Sequence, residues 1–459
     1  MIDRLVGRAE LWRAWLAGRP TLVKVASNAG YLFADRLLRL CVGVLVGVWT
    51  ARYFGPHTFG IYSFALAFVY LLNPLTTLGL DNIVIRDVVQ EPGKAEETLG
   101  TAWLLRMAGS VLALVACNTA IGLLRPDDWL TRSLVAVVSL GPLFQTVDTA
   151  DLWFQSQLQA RRSVSARGVA FGVAAALKIG LILLHAPILV FACAGVVEFF
   201  LSAAALAVAY TISGHRLSGW RFRWGRAGQL LRVSWPLAVS SMAIITYTKI
   251  DHVMLGVMLG PDAVGVYAAA TRVSELWYFL PMGIASSVFP LLIDVRGRDP
   301  VLYRQRMQQL FDGMTILALV IAAPLALLSP LVVSALYGSA YAAAGPVLAI
   351  HIWCSIFVFL GVAQLPWDAA EGLTRLAMMR TLIGAATKIA LNTALIRRFG
   401  LPGAAFATLA SQACSAWLTN ALHPKTRGIF VQQSRALFVF RHAFGRGAAP
   451  GAAGPEART

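Results

Sequence analysis

The stretch TYTKIDHVMLG, from Thr246 to Gly256, places Lys249, Asp251 and His252 within four positions of an otherwise apolar segment. An ammonium, a carboxylate and an imidazole at this spacing could bind an ion, transfer a proton or neutralise one another. Charged groups in apolar surroundings cost free energy unless they are paired. The cluster is therefore a candidate site, and its chemistry depends on the solvent that the segment meets.

Seven basic side chains lie inside apolar segments, where an ionisable residue normally faces a cavity or a partner. A guanidinium group can bind two oxygens of a phosphate or carboxylate at once, which favours arginine as the primary contact for such anions. We interpret the set as a cationic surface for an anion that carries phosphate or carboxylate groups, formed by Arg36, Arg39, Arg106, Lys178, Lys249, Arg272 and Lys388.

Acidic side chains in the same segments offer a second chemistry, because a membrane carboxylate can change its charge state during transport. The candidates for coupling to a proton or a sodium ion are Asp251, Glu198 and Glu275. Internal pairing is the alternative for both sets. Arg272 and Glu275 stand three positions apart, and Asp35 and Arg39 four, so each pair would share a helix face.

Composition indicates that the surrounding solvent is a lipid bilayer. Of 459 residues, 58% are hydrophobic and 13% charged, and the mean hydropathy is +0.68; soluble domains carry about 25% charged residues. The five cysteines lack paired spacing, so we expect no metal, disulfide or cofactor. Breaks at Pro, Gly and charged residues predict twelve transmembrane helices, at 26–50, 58–80, 98–124, 131–154, 165–185, 187–211, 233–258, 263–291, 308–329, 341–365, 374–396 and 401–422.

The connections alternate in charge. Basic residues gather in the N-terminal segment, in RRSVSAR, HRLSGWRFRWGRAGQLLR and RGRDPVLYRQR, and in the C-terminal tail. Because cytoplasmic loops are enriched in Lys and Arg, both termini are predicted to be cytoplasmic. This topology, with contact to anionic membrane lipids, accounts for the net charge of +17. We therefore expect no nucleic-acid partner.

An internal repeat organises the predicted helices. FGPHTFGIYSFALA, from Phe54, aligns with LGPDAVGVYAAATR, from Leu259, at an offset of 205 residues. HAPILVFA, from His185, aligns more weakly with GLPGAAFA, from Gly400. The repeat predicts two six-helix lobes that are related by a pseudo-twofold axis along the membrane normal. The predicted regions are an amphipathic cytoplasmic N-terminus (1–25), the N-lobe (26–211), a basic cytoplasmic linker (212–232), the C-lobe (233–422) and a basic cytoplasmic tail with a disordered end (423–459).

Two segments carry a family resemblance. ARYFGPHTFGIYSFALAFVYLLNPLTTLGLDNIVIRDVV, residues 51–89, and KIDHVMLGVMLGPDAVGVYAAATRVSELWYFLPMGIASSVFPLL, residues 249–292, resemble bacterial polysaccharide and O-antigen repeat-unit flippases of the multidrug/oligosaccharidyl-lipid/polysaccharide exporter superfamily. The resemblance implies an inner-membrane protein that moves undecaprenyl-diphosphate-linked oligosaccharide from the cytoplasmic to the periplasmic leaflet. It also implies a polysaccharide polymerase and a chain-length regulator as partners.

Two other functions stay open at this point. A multidrug and toxin extrusion antiporter shares the duplicated twelve-helix plan but handles cations, and so many basic residues in its helices would not help it. A polymerase assembly partner without transport activity is the second alternative. The sequence contains no GxSxG, Walker A, HExxH or aspartate-rich metal motif, and its connections are short, so we do not expect an enzyme.

Overall fold

The computed structural model describes residues 20–438, with side chains from residue 37 onwards except that of Pro290. Within this range the chain forms helices, short 3₁₀ segments and turns, and no strand. The helices of the first half are α1 (Pro20–Leu71), α2 (Asn73–Thr77), α3 (Asp81–Gln90), α4 (Ala95–Leu124), α5 (Trp129–Val138), α6 (Gly141–Gln145), α7 (Thr149–Ser156), α8 (Ala160–Leu183) and α9 (Ile188–Ile212). Those of the second half are α10 (Trp224–Met258), α11 (Pro261–Glu275), α12 (Phe279–Arg296), α13 (Pro300–Leu327), α14 (Ser329–Tyr337), α15 (Ala344–His351), α16 (Cys354–Ala370), α17 (Thr374–Ala416) and α18 (Arg427–Leu437).

Eight helical segments of the described range are long and apolar enough to cross a membrane. They confirm the prediction of an all-α, multi-pass membrane protein, while the number of twelve helices stays a prediction. The segments are Leu37–Leu71, Pro92–Leu124, Trp129–Ser156, Ala160–Leu183, Ile188–Ile212, Trp224–Met258, Pro300–Leu327 and Ala344–Ala370.

The repeated Gly-Pro pairs form the same turn in both halves. Gly55 has φ 71° and ψ 172°, and Gly260 has φ 92° and ψ −179°, a region of backbone space that is essentially restricted to glycine. The following Pro56 and Pro261 begin the next helical stretch, where the missing N–H group costs nothing. We call the end of the bundle that carries these two glycines the turn end.

The two stretches after these turns cross each other closely. A Cβ atom on Gly60 would collide with the carbonyl oxygen of Pro261, and one on Gly265 would collide with that of Pro56. The repeat offset of 205 residues relates Gly60 to Gly265 and Pro56 to Pro261, so a twofold rotation turns each contact into the other. His57 and Asp262, which are also 205 residues apart in sequence, contact each other across the two lobes. The His57 Nδ1 atom is 2.8 Å from a carboxylate oxygen of Asp262. The crossing therefore agrees with two lobes related by a pseudo-twofold axis.

Further contacts between the halves close the turn end. The Arg52 guanidinium donates to the carbonyl oxygen of Ala335 at 2.5 Å, and the Tyr341 hydroxyl donates to that of Ala51 at 2.8 Å. Arg125 donates to the carbonyl oxygen of Gly256. Asp128, in the loop before α5, also accepts from Arg125; although burial opposes its ionisation, hydrogen bonds from Thr131 and Arg125 hold its pKa below the usual value.

The second predicted helix, 58–80, is wrong as one continuous element. The helix ends at Leu71, a single turn follows at Asn73–Thr77, and the chain resumes as a helix only at Asp81. Leu78 and Gly79 adopt positive φ values of 53° and 65° in the gap. Gly79 packs against the backbone of Ala238, a contact that a side chain would prevent. Tertiary packing thus overrides the apolar pattern that predicted a single helix.

Both predicted connecting regions contain docked structure. In the linker, Arg226 contacts Asp87 at 3.0 Å and Thr98 at 3.1 Å, which fixes the start of α10 against the N-lobe. In the tail, α18 buries Gln433 completely, and its amide donates to Gln364 at 3.1 Å. The amphipathic segment predicted for residues 1–25 lies outside the described residues up to residue 19, as does the predicted disordered end beyond residue 438.

Candidate functional site

A cavity of about 540 Å³ lies between α1 of the first lobe and α10 and α11 of the second. Arg39 reaches it from α1, Lys249 and His252 from α10, and Arg272 and Glu275 from α11. Arg39 is sixteen residues from Gly55, roughly 24 Å along a helix, so the cavity extends well away from the turn end. We call it the cationic cavity, because three basic side chains share it with one carboxylate.

The three basic side chains differ in their contacts. Lys249 Nζ is 3.7 Å from a Glu275 oxygen, a long ion pair between partly exposed groups. Arg39 lies over the Phe171 ring, 5.0 Å from its centroid. Arg272 lies over the Phe59 ring at 5.7 Å and forms no hydrogen bond or ion pair with any described residue. Its guanidinium is thus available to an anion.

Space for Arg272 comes from the opposite lobe. Gly47 of α1 faces the guanidinium, and a Cβ atom there would overlap with it. The same arginine lines a neighbouring cavity of about 290 Å³ inside the N-lobe. That cavity also contains Lys178 and Glu198, whose Nζ and Oε2 atoms are 2.6 Å apart. Arg272 therefore joins the two cavities.

Lys388 and Asp251 form an ion pair buried in the C-lobe. Each is 2% exposed, and the Lys388 Nζ atom is 2.7 Å from Asp251. Lys388 also donates to the carbonyl oxygen of Tyr247, while Tyr267 and Thr408 donate to Asp251 at 2.7 and 3.0 Å. The pair lines neither cavity described above. The Lys388 ammonium occupies the position beside Asp251 that a free cation would need.

The structure also places the remaining predicted residues. Arg106 is buried in another part of the N-lobe, where it pairs with Asp81. The side chain of Arg36, and with it the proposed pair of Asp35 with Arg39, lies outside the described side chains. Arg272 does not pair with Glu275 within a helix; Glu275 lies beside Lys249 instead. The charges in TYTKIDHVMLG likewise pair with other helices rather than with each other.

Sequence reasoning missed a polar cluster in the N-lobe. Asp148 and Asp151 line the same cavity as Arg106 and Arg167. The sequence held a signal at two places. In each, a proline lies within a predicted helix and polar residues follow it: Pro142 precedes Asp148, and Pro74 precedes Asp81. Neither position on its own indicated that two interrupted helices meet.

Comparison with known proteins gives consistent results. Residues 25–295 match the polysaccharide biosynthesis protein family. The chain is 31% identical over 212 residues to AglR of Haloferax volcanii, a protein named as a flippase, and 23% identical over 375 residues to a Shigella flexneri protein named for O-antigen transport. The matches cover 44% and 77% of this chain and 42% and 87% of those proteins. For AglR the match thus spans less than half of the relative.

Solved structures share the fold. An inward-facing multidrug resistance transporter of the MATE family aligns with a TM-score of 0.70 and 14% identity, covering 90% of this chain and 96% of the other. The lipid II flippase MurJ, in an inward closed conformation, aligns with a TM-score of 0.70 and 14% identity, covering 92% and 94%. At this identity the likeness establishes the two-lobed helical transporter fold and nothing about substrate.

Proposed function

Since the chain belongs to the polysaccharide biosynthesis protein family, we propose that it is a flippase for undecaprenyl-diphosphate-linked oligosaccharide. The observation that carries the proposal is the cationic cavity, in which Arg272 has no acidic partner among the described residues. A diphosphate supplies the oxygens that guanidinium groups bind best. The name of the Shigella flexneri relative supports a glycan substrate, and that of AglR supports flippase activity.

Alternating access between the lobes would move the headgroup across the membrane. The predicted topology puts the turn end at the periplasmic side of a bacterial inner membrane. The contacts that close the turn end then define a state in which the cavity is shut off from the periplasm. Separation of the crossing at Gly60 and Gly265 would open it to that side. A polysaccharide polymerase and a chain-length regulator would act on the delivered product.

Coupling to H⁺ or Na⁺ would use a carboxylate that faces the cavity. Glu275 meets this condition, since it lies in the cationic cavity beside Lys249. Glu198 is paired with Lys178, and Asp251 is paired with Lys388 and accepts hydrogen bonds from two hydroxyl groups. We therefore assign coupling to Glu275, and expect Glu275→Gln to make transport insensitive to an imposed ion gradient.

The charge of the cavity argues against the cation antiporter. A cationic drug entering the cavity would meet three basic side chains and one carboxylate, and like charges at close range repel. Export of a cationic dye by the purified protein, without movement of a glycolipid, would favour the antiporter. Failure of the wild-type protein to move the glycolipid under any gradient would favour the non-transporting assembly partner.

The direct test uses the purified protein in liposomes. Undecaprenyl-diphosphate-linked oligosaccharide begins in the inner leaflet, and an external lectin measures its arrival outside. We expect Arg272→Ala to slow transport about ten- to a hundredfold, since hydrogen bonds to charged groups contribute roughly 1.5–3 kcal/mol. Arg272→Lys should rescue it partly, and Arg375→Ala, at an exposed position, serves as the matched control. Normal transport by Arg272→Ala would disprove the role of this residue.

A further inference from the structure

A third cavity, of about 330 Å³, lies within the N-lobe and has no role in the proposal above. We call it the polar cavity, because most of its lining is polar; it includes Thr77, Asn82, Arg106, Gln145, Asp148 and Asp151. Its volume falls in the range of roughly 300–1,000 Å³ that is typical of small-molecule sites. It is large enough to hold a ligand rather than a few water molecules.

Two helix interruptions meet at this cavity. The first is the break between Leu71 and Asp81, and the second is the 3₁₀ segment Thr146–Asp148 between α6 and α7. Irregular backbone at membrane depth is tolerated only where it is buried in protein or lines a cavity. Interrupted helices also mark the substrate sites of many transporters. Both breaks contribute residues to the lining of the polar cavity, so the cavity accommodates their irregular backbone.

The polar cavity carries no positive excess, since Arg106 and Arg167 share it with Asp81, Asp148 and Asp151. Arg106 pairs with Asp81, and Arg167 with Asp151. The Nε atom of Arg106 and the Oδ1 atom of Asp151 nevertheless have no hydrogen-bond partner among the described residues, although each residue is only 4% exposed. Buried polar atoms are normally satisfied, so these two await a ligand or water. A hydroxyl group suits both, because it can accept from the guanidinium and donate to the carboxylate.

Uncharged polar groups complete the lining. Thr77, Asn82 and Gln145 form no side-chain hydrogen bond with any other described residue, although all three line the cavity. Amides and hydroxyls offer both donors and acceptors. A phosphate would find no uncompensated positive charge here, and an apolar molecule would leave these groups unpaired. A polyhydroxylated, uncharged ligand matches the lining.

We propose that the polar cavity binds sugar residues of the lipid-linked oligosaccharide while the cationic cavity holds its diphosphate. The inference rests on the proposed function and adds to it a site that selects the glycan. The two cavities are neighbours: Tyr70 lines the cationic cavity, and Asn73, three residues later, lines the polar one. Arg39 of the cationic cavity lies over Phe171, one helical turn after Arg167 of the polar cavity.

The test compares two ligands of the purified full chain in lipid nanodiscs. One is undecaprenyl diphosphate, and the other is the lipid-linked oligosaccharide pool extracted from the cells that encode this chain. Asn82→Leu and Gln145→Met remove an amide at nearly constant volume. We expect each to weaken binding of the oligosaccharide lipid about three- to tenfold, since a hydrogen bond is lost, and to leave binding of undecaprenyl diphosphate unchanged. Gln157→Met, at an exposed position outside the cavity, is the matched control.

Three results would overturn the inference: wild-type protein that binds both lipids equally, variants that weaken both equally, or variants that change neither. Arg272→Ala separates this failure from that of the proposed function. If the diphosphate site is right, this variant weakens both lipids. If Arg272→Ala changes neither while the amide variants weaken the oligosaccharide lipid alone, the glycan site stands and the diphosphate assignment fails.

Discussion

Alanine at Gly60 or Gly265 should open the turn end. In the structure, each glycine lies against a proline carbonyl of the opposite lobe, and an added Cβ atom would overlap with that oxygen. Because the overlap is with backbone, the two helical stretches must separate. Overpacking of this kind costs roughly 1–3 kcal/mol. The cost applies only to the closed state, so the population of closed molecules relative to open ones should fall about 5- to 150-fold.

The twofold relation makes this prediction stricter. The offset of 205 exchanges the two contacts, so Gly60→Ala and Gly265→Ala should have similar effects. Once one substitution has separated the helices, the second has less to disrupt, so the double variant should shift the equilibrium by less than the sum of the two. Gly172→Ala is the matched control, since a Cβ atom there would meet nothing within 4 Å.

Crosslinking across the axis measures the closed population. His57→Cys and Asp262→Cys, in a background without the native cysteines, place two thiols where the present side chains are 2.8 Å apart. The exposed pair that they replace contributes at most about 1 kcal/mol. A short thiol crosslinker should react across the lobes in the control and much less in either alanine variant. Crosslinking and transport at the control rate in folded Gly60→Ala and Gly265→Ala proteins would refute the reasoning.

Three further changes test other contacts. Lys388→Met should lower the free energy of unfolding by roughly 3–5 kcal/mol, because it leaves the Asp251 carboxylate buried without its cation. Adding Asp251→Asn to this variant should recover most of the loss. Thermal unfolding in detergent measures both effects. Gln433→Leu should release α18 and increase its proteolysis, since the buried Gln364 amide oxygen loses a donor. Gly47→Ala should slow glycolipid transport much as Arg272→Ala does, because it displaces the guanidinium without removing it; unchanged transport would contradict this.

Sequence could predict the features that depend on local chemistry. The predicted helix bounds leave breaks at the Gly-Pro pairs of Gly55 and Gly260, and the structure has a positive φ at both glycines. The weaker repeat is also consistent, because His185 and Gly400 both have positive φ, at 55° and 62°. Both signals are short and set by one or two residues, so tertiary packing does not override them.

Sequence could not predict which charges share a compartment. Arg39 and Arg272 line one cavity because two lobes pack together, and Lys388 pairs with Asp251 of another helix in the same lobe. Spacing within a helix favoured a pair of Arg272 with Glu275, but such a pair contributes only about 0.2–0.5 kcal/mol. Longer-range packing readily outweighs that amount. The polar cavity was missed for the same reason, since its two helix breaks are far apart in sequence.

The repeat shows that Arg272 has no charged counterpart in the first lobe. The offset of 205 relates Gly47 to His252 and Ala67 to Arg272. All four positions line the cavities at the lobe interface. The axis therefore relates the contact of Gly47 with Arg272 to the positions of His252 and Ala67. The second lobe supplies the Arg272 guanidinium, and Gly47 of the first lobe supplies the space for it. A symmetric pair of arginines would place two like charges near the axis without a partner, whereas one arginine facing a glycine leaves room for an anion between the lobes.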